Sequence, residues 1–315
     1  SGVLYMMDGS KNTVWTKDLG SDVYSAPALA NLDGGKSGEI VTGTGDGRVI
    51  VLDNNGDVVW SENIGDSAWS APVVNDILGD GNLEIMMRIG TGDGGDNIVV
   101  LDNNGNIEWS YSTGVYATVP VLENFVSNDG GLEIIVGTYD GDVLLLDPVN
   151  RSLVDNFSVG STVYSSPVSD GNGVYVGTWD NGLHGLSVSS DSFVRDWDIQ
   201  SVNHLQGGMA LGDVDNDGGS EVVVPNRYGN STAGENSINV VDVSDGGMVW
   251  SFDAGANVLS DVVLADVSGD GVKDILFGTE DNEYYGVDWD RPDGELVAIT
   301  DKNNKGEELW SVVVG

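Results

Sequence analysis

The sequence predicts an all-β protein, because one short phrase recurs along its 315 residues and no stretch has the 3.6-residue periodicity of an amphipathic helix. The phrase is an apolar strand, an Asp, a few turn residues, a Trp, and a Gly five positions after the Trp. Its five clear copies are residues 4–20, 49–65, 98–114, 238–255 and 296–315. Two weaker copies carry Asp155 in place of the Trp, or Trp197 followed by Val202 in place of the Gly. Successive Trp positions 42 to 60 residues apart indicate a repeat array built from short strands.

Each repeat is predicted to hold four strands in a fixed order. The first is short and rich in small apolar residues, which suit a crowded position near an axis; its copies are residues 25–30, 70–75, 118–122, 165–169, 208–212 and 260–265. The second is rich in β-branched residues and ends in Gly-Thr in several copies; these are residues 39–44, 133–138, 174–178 and 274–279. A tight turn such as Asp46-Gly47 leads into the third strand, and the fourth strand carries the Trp.

Four antiparallel strands repeated around an axis make a β-propeller, in which we expect each Trp to cover the gap between adjacent blades. A single domain over residues 1–315 would then contain six complete blades; these are residues 25–65, 70–114, 118–160, 165–200, 208–255 and 260–315. The hairpin at residues 3–20 belongs to a closing or extra blade, so the blade count is six or seven. An incomplete blade exposes a strand edge that another chain could complete, which makes self-assembly one hypothesis.

The chain is extremely acidic, with 51 acidic and 12 basic side chains and a formal charge of −39. Such a surface repels phosphate backbones, so we expect no nucleic-acid partner. Two explanations stay open: adaptation to high salt, or an extracellular setting rich in calcium. There is no Cys, hence no disulfide or thiol chemistry, and no apolar run reaches the ~18 residues of a membrane helix, so membrane insertion is not expected.

Two features weakly favour an extracellular or cell-surface location. The chain opens at Ser1-Gly2 without an initiator Met, as a processed or trimmed product would, and Asn-x-Ser/Thr triplets begin at Asn150, Asn156 and Asn230. A few such triplets are expected by chance in a chain this rich in Asn. Secretion is therefore an expectation that depends mainly on the acidic composition.

Two loops between first and second strands have the spacing of a calcium site. Residues 213–221 place acidic side chains at loop positions 1, 3, 5 and 9, and residues 266–274 repeat this with Ser at position 3. Ca²⁺ prefers six to eight hard oxygen ligands, and a Gly at position 6 lets the backbone turn around the ion. The predicted side-chain ligands are Asp213, Asp215, Asp217 and Glu221 in one loop, and Asp266, Ser268, Asp270 and Asp274 in the other. Such calcium would be structural, because it removes repulsion between carboxylates.

Two further loops keep only part of the pattern. The weaker candidates are Asn31, Asp33 and Glu39 in one loop and Asp76, Asp80 and Glu84 in the other. The corresponding loops of the third and fourth repeats, residues 124–133 and 170–173, are predicted to be plain turns. The alternative for all these loops is that Asp and Gly simply form turns in which the Asp side chain caps its own backbone.

The phrase Gly-Thr-x-Asp-Gly-x-Val-x-x-Leu-Asp, followed by Trp and then Ser-x-Pro, resembles the pyrroloquinoline-quinone-like repeat propellers. That family includes an outer-membrane assembly lipoprotein and quinoprotein dehydrogenases, and the resemblance covers essentially the whole chain. The Asp-rich loops resemble the FG-GAP repeats of integrin-type propellers. This second resemblance implies that the backbone carbonyls of Gly219 and Val272, at loop position 7, are calcium ligands too.

Propeller ligands bind at the axial mouth, where the turns into the first strands meet. The side chains expected there are Tyr24, Trp69, Tyr116, Tyr164, His204, Gln206 and Asn257. These aromatics would either stack on sugars or cap a cation, or simply plug the channel. A polysaccharide lyase would use His204 and Tyr164 as its acid and base candidates, whereas the other histidine, His184, fits a buried sheet position.

Quinone-dependent catalysis is disfavoured, because the family resemblance implies a Cys pair and clustered basic residues that this chain lacks. We therefore interpret the sequence as a non-enzymatic, extracellular or surface propeller used for binding, adhesion or assembly. Its cofactor would be structural Ca²⁺, and its partner a protein or a carbohydrate. The alternative is a carbohydrate-active enzyme, a propeller lyase acting at the axial mouth.

Overall fold

The computed structural model describes residues 2–68, 70–90, 95–126, 130–180, 182–200, 205, 207–226, 237–279, 294–301 and 305–313. Within these residues every regular element is a β-strand, as predicted, and the strands form one two-stranded and six four-stranded antiparallel sheets. Each four-stranded sheet contains four strands consecutive in sequence, in the order in which they occur along the chain. Among the described residues no helix is long and apolar enough to span a membrane.

Contacts group the chain into two compact units: residues 1–138 with 145–154, and residues 139–144 with 155–315. The boundary passes through one sheet, so the prediction of a single domain over residues 1–315 stays a prediction. The first unit opens with a hairpin made of β1 (Val3–Met7) and β2 (Thr13–Asp18). Sheet 1 then contains β3 (Ala28–Ala30), β4 (Glu39–Gly43), β5 (Arg48–Leu52) and β6 (Val58–Asn63). Sheet 2 contains β7 (Val73–Asn75), β8 (Glu84–Ile89), β9 (Asn97–Leu101) and β10 (Ile107–Ser112).

Sheet 3 is the one that the boundary divides; it contains β11 (Val121–Glu123), β12 (Glu133–Gly137), β13 (Asp142–Asp147) and β14 (Ser152–Ser158). The second unit holds three further sheets. Sheet 4 contains β15 (Val168–Ser169), β16 (Gly173–Gly177), β17 (Leu183–Ser189) and β18 (Ser192–Ile199). Sheet 5 contains β19 (Ala210–Gly212), β20 (Glu221–Pro225), β21 (Ile238–Asp242) and β22 (Met248–Phe252). Sheet 6 contains β23 (Val263–Ala265), β24 (Asp274–Gly278), β25 (Glu295–Asp301) and β26 (Gly306–Val313).

The first strands are shorter than the sequence predicted, and in sheets 1, 2 and 4 a Ser-x-Pro phrase directly precedes them. Pro27, Pro72 and Pro167 lack the backbone N–H needed to extend the ladder toward the N-terminus. The side chain two positions earlier supplies a substitute contact in sheet 4, where the Ser165 hydroxyl accepts a hydrogen bond from the Gly177 N–H at 3.1 Å. Ser260 does the same for Gly278 in sheet 6, at 2.7 Å. These serine side-chain hydrogen bonds help to fix a first strand of only two or three residues against the second strand.

The apolar core lies between successive sheets within each unit. Val49 and Val51 of sheet 1 pack with Ile85 and Leu101 of sheet 2, and equivalent clusters join sheet 4 to sheet 5 and sheet 5 to sheet 6. The second strands are buried along their whole length in sheets 1, 3, 4 and 5, and at all but one residue in sheet 2. This burial explains why their sequences are apolar without alternation. Burial on both faces therefore dominates the sequence of these strands.

The repeated spacing of the Trp has a structural cause, as predicted. The indole N–H groups of Trp15, Trp60 and Trp197 each donate to a turn carbonyl of the following sheet, at 3.0, 3.0 and 2.8 Å. A β-bulge recurs in these hairpins: the residue directly before each Trp is left unpaired, which shifts the register at that point. These three indoles therefore reach from their own hairpins to the next sheet.

Candidate functional site

The loop between β19 and β20 brings three of its predicted ligands together. Asp213, Asp215 and Glu221 each offer a carboxylate oxygen, and these oxygens lie within 4.8 Å of one another. The backbone can turn this tightly because Asn216 and Gly218 adopt left-handed conformations, with φ of 62° and 92°. The sequence pattern thus folds into a cluster of acidic side chains.

Hydrogen bonds within this loop leave part of the cluster unsatisfied. Glu221 is buried, and its Oε2 accepts the Val214 N–H at 2.8 Å. Asp213 Oδ2 accepts the Gly218 N–H at 3.2 Å, whereas its buried Oδ1 has no hydrogen-bond partner among the described residues. A buried carboxylate oxygen without a donor is unfavourable unless a cation compensates it.

The pKa values of the clustered carboxyl groups also favour a bound cation. Burial, together with the charges of Asp215, Asp213 and Asp217, raises the pKa of Glu221 to about 7. The pKa of Asp215 is also raised, first by burial and then by Asp217, Asp213 and Asp301. Asp301, at the end of β25, was not foreseen from the sequence because it lies in the next repeat. The raised pKa values reflect burial first and then repulsion between neighbouring carboxylates, and a bound cation would offset both.

These residues fit Ca²⁺ by their chemistry. Three carboxylates supply hard oxygens, and one of them has an unpaired buried oxygen. Asp217 is not in the cluster; its Oδ1 accepts the Gly219 N–H at 2.7 Å and closes the turn. That the Gly219 backbone carbonyl is a calcium ligand stays a prediction.

The Asp266 loop, between β23 and β24, closes on its own backbone instead. Asp266 Oδ1 accepts the N–H groups of Gly269 and Asp270 at 2.6 and 3.2 Å, and its Oδ2 accepts that of Gly271 at 3.0 Å. Asp274 Oδ2 accepts two further N–H groups, both at 2.8 Å. No three carboxylates come within 4.8 Å in this loop, in the part of the chain that the structure describes. The ligand set of Asp266, Ser268, Asp270, Val272 and Asp274 stays a prediction.

The two weaker loops also bond mainly to themselves. The Asn31 amide donates to the Gly35 carbonyl at 2.9 Å, and Asp33 Oδ1 accepts the Gly35 N–H at 2.6 Å. Asp76 accepts two backbone N–H groups at 3.0 Å, and Asp80 accepts that of Asn82 at 2.9 Å. These contacts are those of Asx turns, the alternative that the sequence left open.

The acidic residue at position 9 has a structural role that the sequence reasoning missed. In five sheets it accepts the N–H of the residue at loop position 2, or its equivalent, over 2.7–2.8 Å. The five acceptors are Glu39, Glu84, Glu133, Glu221 and Asp274, all buried. Burial also raises the pKa of Glu84, with Asp80 and Asp76 adding to it. The loop of sheet 3, predicted to be a plain turn, therefore shares this anchor.

Of the predicted mouth residues, Tyr164 lies in an aromatic cluster. Its ring stacks on Tyr139 with centroids 5.4 Å apart and is tilted against Trp179 at 5.1 Å. Tyr139 and Trp179 are 38% and 41% exposed, so the cluster forms an open surface. The sequence reasoning missed both partners, which occupy the variable position of the Gly-Thr-x-Asp turn and could have been found there.

The remaining mouth residues are only partly described. Tyr24 and Tyr116 are exposed, whereas Trp69, His204 and Gln206 lie outside the described residues. His184 is buried in β17, as expected for a sheet residue. Neither of its ring nitrogens has a hydrogen-bond partner in the described part of the chain, and burial followed by the charge of Arg195 lowers its pKa. Of the two enzyme candidates, the structure therefore describes Tyr164 alone.

Comparison with known proteins relates these features to a family. The family described as outer membrane protein assembly factor BamB matches residues 1–214. No curated protein is significantly similar to the chain. The crystal structure of BamB from Moraxella catarrhalis is 15% identical, with a TM-score of 0.63 over 99% of this chain and 80% of that chain. The crystal structure of BBS1N in complex with ARL6DN, soaked with lead, is 15% identical, with a TM-score of 0.60 over 93% and 82%.

At such low identity the similarity to solved structures is evidence for the fold alone, and it agrees with the predicted β-propeller of four-stranded blades. The family match is stronger evidence, because it covers more than half of the 315 residues. The chain belongs to the PQQ-like repeat family described as outer membrane protein assembly factor BamB.

Proposed function

We propose that this protein is a non-enzymatic β-propeller that binds partners and helps to assemble them at or outside a cell envelope. The observation that carries the proposal is membership, over residues 1–214, of a family described as an assembly factor of outer membrane proteins. BBS1N, which shares the fold, was likewise crystallised in complex with another protein. An extracellular or surface location is consistent with the excess of 51 acidic over 12 basic side chains.

The aromatic cluster of Tyr139, Tyr164 and Trp179 is the proposed contact surface for a protein or carbohydrate partner. Exposed aromatic rings contribute large contact areas at little entropic cost, and they stack on both sugar rings and side chains. Binding is tested by displaying glycans and peptides to the protein and to its Trp179→Ala variant. We expect the variant to lose at least about tenfold in affinity for any ligand that the wild type retains.

Catalysis is tested on the same preparation with acidic polysaccharides. A binding module leaves the polymer intact, whereas a lyase releases unsaturated uronate ends. Release of such ends at a rate proportional to protein concentration would overturn the proposal in favour of a carbohydrate-active enzyme. A Tyr164→Phe variant separates the two, because it keeps the stacking ring and removes the candidate acid.

We propose further that Ca²⁺ binds in the Asp213 loop, held by Asp213, Asp215 and Glu221. Bound there, the ion neutralises neighbouring carboxylates and ties β19 to β20. Binding to the native state alone stabilises by about 2.7 kcal/mol at a hundredfold excess over Kd, which corresponds to several degrees in melting temperature.

The calcium proposal is tested by thermal unfolding with excess chelator and with added Ca²⁺ at constant ionic strength. We expect Ca²⁺ to raise the melting temperature of the wild type and of Asp266→Asn, the matched control in the loop that closes on itself. Asp215→Asn is expected to lose the response. An identical melting temperature with chelator and with Ca²⁺ in the wild type would remove the calcium site.

A further inference from the structure

An exposed Asp directly follows each of the two exposed rings of the aromatic cluster. Tyr139 precedes Asp140 in the turn between β12 and β13, and Trp179 precedes Asp180 in the turn between β16 and β17. All four residues are exposed, and Tyr164 contacts both rings. Sheets 3 and 4 each contain all four strands of a repeat, so a missing strand does not account for this exposure. The surface therefore combines open aromatic rings with carboxylates.

The carboxylate of Asp180 is held in its ionised form. Burial opposes ionisation, but hydrogen bonds from the side chains of Thr178 and Ser161 outweigh it and lower the pKa of Asp180. The Thr178 hydroxyl donates to Asp180 Oδ1 at 2.8 Å. Of the ion pairs among the described residues, none includes Asp140 or Asp180. Both turns therefore offer a carboxylate that no described Lys or Arg neutralises.

The same turn in sheet 1 shows what such a carboxylate can hold. There Asp46 stands in the place of Asp180 and accepts the Arg48 guanidinium, whose Nε and Nη2 lie 3.0 and 2.9 Å from Asp46 Oδ2. The Thr44 hydroxyl donates to Asp46 Oδ1 at 2.6 Å, as in the turn of Asp180. The turns thus have the same internal hydrogen bond, and in sheet 1 the chain itself supplies the cation.

Residues without a positive charge take the place of Arg48 in sheets 3 and 4. This place is four positions after the Thr, where Asp142 stands in sheet 3 and Gly182 in sheet 4. The backbone supports this equivalence, because the N–H groups of Arg48 and Gly182 both donate to the hydroxyl of the Thr four positions earlier, at 3.2 and 3.1 Å. The guanidinium present in sheet 1 is therefore not supplied at this position in sheets 3 and 4.

The sequence around the cluster is also short of basic residues. Between Arg88 and Arg195 it contains 14 acidic residues and a single basic one, Arg151, which pairs with Glu108 at 3.6 Å. The chain does place a guanidinium over an aromatic ring elsewhere, since the Arg195 Cζ lies 5.3 Å from the centroid of the Phe157 ring. Such a contact is attractive because the face of an aromatic ring is negative.

Charge separates three possible occupants of the surface. A second copy of the chain carries the same charge of −39, so two copies repel each other. A neutral sugar would stack on the rings but would gain no charge attraction from the carboxylates. An Arg side chain uses both, because its planar guanidinium stacks on a ring while its N–H groups donate to a carboxylate. The surface therefore favours Arg.

We propose that the aromatic cluster, together with Asp140 and Asp180, binds an Arg-bearing segment of a partner polypeptide. Guanidinium groups of the partner stack on Tyr139 and Trp179 and donate to the neighbouring carboxylates. The inference rests on the proposed binding function and gives its contact surface a partner class. The net charge of the chain also steers basic segments toward it, which raises the association rate at low salt.

The test uses the whole protein and a fluorescently labelled peptide in which Arg residues alternate with Gly and Ser. Anisotropy is expected to show saturable binding that weakens as the ionic strength rises. A peptide with citrulline in place of Arg keeps the side-chain length and the planar end group without the charge. It is expected to bind at least about tenfold more weakly.

Variants separate this site from general attraction to an acidic surface. Trp179→Leu keeps apolar area but removes the aromatic face, so we expect it to weaken binding by about threefold or more. Asp180→Asn keeps an acceptor for Thr178 and removes the charge, with an expected loss of about threefold. The matched control is Asp46→Asn, which changes the net charge equally at a carboxylate that Arg48 already occupies, and it is expected to leave binding unchanged. Unchanged melting temperatures of the two exposed-site variants would show that they fold.

Three outcomes would overturn the inference: no saturable binding of the Arg peptide, equal binding of the citrulline peptide, or equal binding by wild type, Trp179→Leu and Asp180→Asn. The last would show attraction by net charge alone. A glycan or uncharged peptide that loses affinity at Trp179→Ala, while the Arg peptide does not bind, would retain the proposed binding function and remove this inference alone. If no ligand of any class depends on Trp179, the proposed contact surface and this inference fail together.

Discussion

The Asp213 and Asp266 loops occupy the same place in adjacent repeats, have the same length, and share acidic residues at positions 1, 5 and 9. The first gathers three carboxylates within 4.8 Å, whereas no three described carboxylates come that close in the second, where both oxygens of Asp266 and the Oδ2 of Asp274 accept backbone N–H groups. Two substitutions account for this. Position 3 is Asp215 in one loop and Ser268 in the other, and position 9 is Glu221 against the shorter Asp274. Ligand spacing alone therefore does not bring the carboxylates of a loop together, because the same oxygens can accept hydrogen bonds from the loop's own N–H groups.

The largest difference is expected from truncating position 9. Asp274→Ala leaves the N–H groups of Val267 and Ser268 without their acceptor, so we expect a loss of about 3–5 kcal/mol in the free energy of unfolding. Glu221→Ala removes one acceptor and at the same time relieves repulsion from Asp213 and Asp215, so its loss is expected to be smaller by about 1 kcal/mol or more.

Denaturant unfolding of both variants in excess chelator measures this contrast. Equal losses of unfolding free energy in the two variants would mean that repulsion between carboxylates is no stronger in the Asp213 loop than in the Asp266 loop.

The second test uses pH. The pKa of Glu221 is raised from 4.5 to about 7 in the folded state, so between these values the folded protein holds a proton that the unfolded chain has released. Raising the pH through this window therefore lowers stability. Between pH 5 and pH 8 we expect the wild type to lose roughly 2–3 kcal/mol more than Glu221→Gln does.

The measurement is the free energy of unfolding at both pH values with chelator present; Ca²⁺ should reduce the pH dependence of the wild type. The amide of Glu221→Gln can still accept from Val214, so the variant isolates the charge. Parallel pH profiles for wild type and variant would show that Glu221 does not titrate in this range.

The smallest effect is expected from Asp301, the acidic residue contributed by the next repeat. Asp301→Asn removes one of the charges that raise the pKa of Asp215. In chelator we expect a gain of at most about 1 kcal/mol, since the group is partly exposed. In calcium titration followed by calorimetry, affinity is expected to fall by a few-fold, roughly 0.5–1 kcal/mol. An unchanged calcium affinity would show that the charge of Asp301 does not act on the Asp213 loop.

Much of the fold could be predicted from the sequence, because its periodicity is carried by large residues in fixed places. The Trp spacing identified the repeats, and the Asp-Gly turns located the hairpins. The short first strands were not predicted, since Ser165 and Ser260 replace ladder hydrogen bonds with side-chain contacts that no pattern of hydrophobicity displays.

The candidate site was predictable only in part. The residues of the Asp213 loop were identified from their spacing, and three of them converge. Asp301 could not be identified, because it is distant in sequence. The sequence also does not show which carboxylate oxygens face one another and which accept backbone N–H groups, since this depends on side-chain length. The aromatic partners Tyr139 and Trp179 occupy the variable position of the Gly-Thr-x-Asp turn, where the repeat itself sets no preference for an aromatic residue.

The indole bridges between sheets have a consequence for how such a chain can change in evolution. Trp15, Trp60 and Trp197 rest on Gly56, Gly105 and Gly246, whose φ values of 82°, 90° and 76° and close indole contacts leave no room for a side chain. Half of each contact is thus encoded in one repeat and half in the next. Duplicating or deleting whole repeats preserves every such pair, whereas exchanging part of a repeat breaks one. Growth and loss by whole units is therefore the route that this architecture tolerates.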